Sequence, residues 1–69
     1  MAAKLILTAH PNEMQSAQLA SETARWLKEN EESRLWELEL QFRRVTPTLP
    51  RATAEQAWSD AMKKYFEGE

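Results

Sequence analysis

Trp36-Glu37-Leu38-Glu39-Leu40-Gln41-Phe42-Arg43 is the stretch on which the reading of the fold turns. Large apolar and polar side chains alternate through it without a break, and in a pleated chain successive side chains leave opposite faces. Read this way, residues 34–45 form a β-strand with Trp36, Leu38, Leu40 and Phe42 on an apolar face. Glu37, Glu39, Gln41 and Arg43 make the solvated face, bracketed at its two ends by Leu35 and Val45. The rest of the chain reads as material to cover the apolar side.

Upstream, residues 4–9 contain the short apolar run Leu5-Ile6-Leu7, which stops at His10-Pro11-Asn12. Proline cannot donate a backbone hydrogen bond and pushes the preceding residue out of helical geometry, so a first strand should end there. Asn12 is a good helix N-cap, Gln15 stands three residues on as in a capping box, and Glu13 suits the positive end of a helix dipole. A helix is therefore expected from about Glu13 to Glu31 or Glu32, free of Gly and Pro, with Met14, Ala17, Leu19, Ala20, Ala24, Trp26 and Leu27 on a broad apolar arc.

Downstream of the alternating stretch, Thr46-Pro47-Thr48-Leu49-Pro50 reads as an extended connector. Thr53 with Gln56 three residues later predicts a second helix over residues 54–66. Its apolar positions Ala54, Ala57, Trp58, Ala61, Met62, Tyr65 and Phe66 follow the i, i+3, i+4, i+7 pattern, and Gly68 marks a stop. The expected architecture is α+β: a small β-α-β-α domain over residues 1–69, with the helices packed on one face of a short sheet.

At 69 residues the chain has room for one domain with a small core, because chains of this size bury only roughly 60% of the surface they expose when unfolded. Such domains usually need a staple. There is no Cys for a disulfide, and the single His10 without Cys excludes a dedicated Cys/His zinc site. Self-association is the staple that remains. The long strand would pair with its two-fold copy about Glu39 to Gln41, setting Glu37 of one chain near Arg43 of the other and completing the sheet as a homodimer. A second arrangement packs the last helices through Trp58, Met62 and Tyr65.

Nine Lys plus Arg against eleven Asp plus Glu give a net charge of −2, a poor balance for a protein whose task is to neutralise phosphates. No apolar run approaches the roughly 20 residues of a membrane span, and the N-terminal run is too brief for a signal peptide. The expected compartment is the cytoplasm.

Candidate chemistry is thin. His10, the single histidine, lies at the end of a strand before a helix cap, but no nucleophile stands beside it. Glu37 and Glu39 share a strand face closely enough to act as a carboxylate pair, against which stands an ordinary solvated sheet face. Glu29, Glu31 and Glu32 lack the loop spacing of a calcium site. Trp36 and Phe42 have the look of a base-stacking platform, but they share their face with Leu38 and Leu40 and so read as core. Arg43, Arg44 and Arg51 form the local basic cluster, a candidate contact for phosphate or for an acidic partner.

What the chain does carry is a surplus of apolar anchors. Three Trp, two Phe and one Tyr are more than a single small core can hide, and aromatic residues are enriched at binding hot spots. The expected function is a small accessory or inhibitory protein, not an enzyme and without cofactor or metal, that binds another protein, with Trp26 and Tyr65 as anchors and Arg43, Arg44 and Arg51 at the rim. The alternative is a nucleic-acid-associated regulator using the three arginines. A small enzyme built on His10 is a third reading.

Overall fold

The computed structural model describes residues 4–10 and 13–67, and among them there is no strand. Three helices follow one another: α1 (Ser16–Glu29), α2 (Leu35–Val45) and α3 (Arg51–Glu67). The fold is all-helical, which overturns the α+β reading and the sheet on which the strand-paired dimer depended.

The correction centres on α2, which occupies the alternating stretch. Residues two apart sit about 200° apart around a helix, whereas residues four apart share a side. The alternating set therefore splits into two pairs on opposite faces. Leu38 and Phe42 are each 1% exposed and lie in the core, while Trp36 and Leu40 are 56% and 50% exposed. Leu35 and Val45, read as bracketing a polar strand face, instead extend the Leu38/Phe42 side at i, i+3, i+7, i+10 spacing. Leu, Glu, Gln and Arg are all good helix formers, and no β-branched residue interrupts the run before Val45. Glu37 in the first turn and Arg43 and Arg44 in the last complement the helix dipole.

The expected first strand at residues 4–9 is an irregular strap laid along α1. Leu5 is buried in the common core. Thr8 fastens the strap, its amide and hydroxyl both donating to the Glu22 carboxylate at 3.0 and 2.8 Å, and Gln18 Nε2 donates to the Thr8 hydroxyl oxygen at 3.2 Å. Glu22 is thus a buried acid, each of whose oxygens accepts a hydrogen bond from the strap. The Glu13 amide donates to the His10 carbonyl at 2.8 Å in the turn before α1.

α1 starts later than residue 13 and ends before 31. Gln15 stands at its N-cap position without a side-chain cap bond, and Asn12, the expected cap, lies outside the described residues. The Asn30 side chain closes the C-terminal end by donating to the Trp26 carbonyl at 2.9 Å. α1 and α3 form the principal helix pair. Leu19, Ala24, Trp26 and Leu27 of α1 share one buried cluster with Ala57 and Ala61 of α3, and these alanines let the two backbones approach closely.

α3 begins at Arg51, ahead of the expected residue 54, because the Pro50 carbonyl already accepts the Ala54 amide at 3.0 Å. Thr53 falls inside the helix, and Gly68 lies outside the described residues. Between α2 and α3 the Thr46 hydroxyl donates to the Phe42 carbonyl at 2.9 Å, and the Leu49 amide donates to the Thr46 carbonyl at 3.3 Å. The connector is therefore a built turn that ends α2 and sets the direction of α3.

Candidate functional site

The aromatic floor between α2 and α3 defines the candidate site. Phe42 and Trp58 meet with ring centroids 5.3 Å apart at a tilt of 43°, a separation favourable for aromatic pairs. Above them opens a groove of about 220 Å³ lined by Glu39, Phe42, Arg43, Ala54, Glu55 and Trp58. Ala54 keeps it open on the α3 side, where a larger side chain would fill it.

Charge is arranged around the groove in two short-range pairs. Arg43 donates to Glu39 across one turn of α2 at 3.3 Å, and Arg51 donates to Glu55 across one turn of α3 at 3.0 Å. Each pair is solvent-exposed and of the kind that contributes little to stability, so its charges can be re-partnered at small cost. The rim is neutral overall and carries both signs.

Several expected site residues fall elsewhere. Trp26 is 6% exposed and belongs to the core, so it is no free anchor. Tyr65 is half-buried against the core and meets Phe66 edge to face at 5.0 Å, while Phe66 itself is exposed. Glu37 and Glu39 leave different sides of α2, so the carboxylate pair dissolves along with the strand. The strand-face interface set is likewise divided, Glu37 and Gln41 falling on one side of α2 and Glu39 and Arg43 on the other. Trp36 and Phe42 are separated in the same way and make no common platform. His10 lies exposed in the turn before α1. Among the described residues no group of three or more His, Cys, Asp or Glu could hold a metal ion, and no helix is long and apolar enough to cross a membrane.

Of the arginine cluster, Arg43 and Arg51 line or flank the groove and are each matched by a glutamate on their own helix, while Arg44 lies around the helix, bordering a hollow shared with Lys4, Gln41 and Val45. Sequence reasoning missed Glu55 and Ala54. It also missed the exposed Trp36/Leu40 pair, whose signal was the four-residue spacing inside the alternating run. No protein-family model, curated protein or solved structure matches the chain.

Proposed function

We propose that the chain acts as a small accessory or inhibitory protein by binding another protein, which seats an apolar side chain in the groove between α2 and α3. The observation that carries this reading is the Phe42–Trp58 floor beneath an open, mixed-charge rim. Protein-binding hot spots combine an apolar or aromatic centre with a polar rim that excludes water, and that is the arrangement around Trp58. The partner presents a leucine- or phenylalanine-sized anchor flanked by charges that exchange with the Glu39–Arg43 and Arg51–Glu55 pairs. No reaction is assigned to the chain under this reading.

The nucleic-acid alternative draws on Arg43, Arg44 and Arg51, and two of these three already face a carboxylate of their own helix. A phosphate-binding surface gains affinity from unneutralised cations, so the pairing favours the protein partner.

The test is to plug the groove. Ala54→Phe adds a ring where the partner's anchor would sit and removes no existing packing. Partners captured on the immobilised wild-type chain and identified by cross-linking should bind at least about tenfold more weakly to this variant. Retention of those partners by Ala54→Phe, together with salt-sensitive DNA retention that disappears in the Arg43/Arg44/Arg51 triple alanine variant, would turn the reading to nucleic acid.

A further inference from the structure

The outward side of α2 carries an apolar pair that the described residues leave half or more exposed. Trp36 and Leu40 stand one turn apart there. On a helix, residues seven apart return to the same flank. Glu37 and Arg44 therefore share one flank of this face, Trp36 and Arg43 share the other, and Leu40 lies midway. Among the described residues neither Glu37 nor Arg44 is in an ion pair, and the hollow beside Arg44 holds Lys4 and no acid.

We propose that this face is occupied by the same face of a second copy, the two α2 helices lying antiparallel about a two-fold axis through Leu40. Such an axis sets like flank against like flank. Glu37 of each chain then meets Arg44 of the other, and Trp36 of each meets Arg43 of the other, where a guanidinium can lie over the indole. Leu40 packs on Leu40 at the centre. The arrangement is self-complementary in charge, as an isologous interface must be.

The other occupants fit less well. An acidic segment, or an anionic lipid surface, would satisfy Arg43 and Arg44 but bring negative charge against Glu37 on the same flank, and like charges facing each other across an interface oppose association. A basic segment has the converse difficulty. Only a surface with the acid and the base in reversed order satisfies both, and an antiparallel copy of α2 presents that order. The interface shares Arg43 with the groove rim, but its test uses Glu37 and Arg44, which line no part of the groove, so its failure does not decide the groove reading.

Charge reversal tests it, with association followed by sedimentation velocity from micromolar to millimolar concentration. Wild type should be dimeric at the upper end. E37R sets Arg against Arg, and R44E sets Glu against Glu, so each alone should weaken self-association at least about tenfold. An equal mixture of E37R and R44E should dimerise again, because each Arg then faces a Glu in both halves of the interface, and the double variant should regain self-association. Both positions lie on the outer face, and circular dichroism of each variant checks that the helices persist. A wild type that stays monomeric at millimolar concentration overturns the proposal. So do single variants that dimerise as wild type does, or a mixture that remains monomeric.

Discussion

α1 with α3, and α2 with both, are two different ways of holding a helix in place. The first pair is joined along its length through small residues, with Ala24, Ala57 and Ala61 buried between close backbones. α2 stands further off and is attached by large side chains, chiefly Leu38 and Phe42 reaching inward from one stripe. In the close pair the load is spread over many small contacts, so it is sensitive to added volume. In α2 it is concentrated on two residues, so it is sensitive to their loss.

The sharpest test of that contrast is the comparison of Leu38→Asp with Leu40→Asp. A carboxylate placed at Leu38 would be buried without a partner, and the cooperative thermal transition should be lost. At Leu40 the same change faces solvent in the single chain and, measured at a dilution where the chain is monomeric, should move stability by no more than about 0.5 kcal/mol. Equal effects at the two sites would mean that α2 is not seated on the Leu38/Phe42 side.

Phe42→Ala should cost about 3–5 kcal/mol by urea denaturation, and amide exchange should speed up first within α2. Ala61→Leu addresses the other helix pair, where one added side chain has no space to enter; about 1–3 kcal/mol should be lost, with exchange rising in α1 and α3 together. A uniform rise in both variants would erase the distinction between the two modes of attachment.

A smaller effect than those core substitutions runs the other way. Thr23 is fully buried on α1, and its hydroxyl has no hydrogen-bond partner among the described residues. Thr23→Val keeps the shape and removes the stranded polar group, so stability should rise by about 1 kcal/mol in the same denaturation experiment.

The same contrast explains what could be read from the chain beforehand. α3 was legible because Ala57, Trp58, Ala61 and Met62 repeat at a spacing that only a helix brings to one side. α1 was legible from its long run without Gly or Pro, although its start slipped because Gln15, and not the expected Asn12, takes the cap position. α2 was not legible from spacing. Alternation at every second residue contains every fourth residue within it, so Leu38/Phe42 and Trp36/Leu40 satisfy a strand and a helix equally well. What separated the two was propensity, with Leu, Glu, Gln and Arg in place of Val, Ile and Thr, and charge, with acid at the start and base at the end. At the groove, Arg43 and Arg51 were legible as a cluster but their glutamates were not, since the pairs form only once each helix sets its residues one turn apart. Trp26 failed as an anchor because the segment read as a strand lies along α1 as a strap, and Trp26 is buried beside its residues Lys4, Ile6 and Thr8.

The close pairing of α1 with α3 joins parts of the chain that have α2 between them, and this bears on how the molecule assembles. The two outer helices can dock only by closing a loop that contains residues 30–50, and the entropy of closing a flexible loop is lost before any contact made across it is gained. A helix of 11 residues inside that loop changes the problem, because it replaces a wandering segment with a rod of roughly 16 Å. Wherever α2 forms before the outer helices dock, it would serve as a strut that shortens the loop to be closed. Sequence changes that favour its early formation should raise the folding rate, and those that act only on the finished α1–α3 contact should appear mainly in the rate of unfolding.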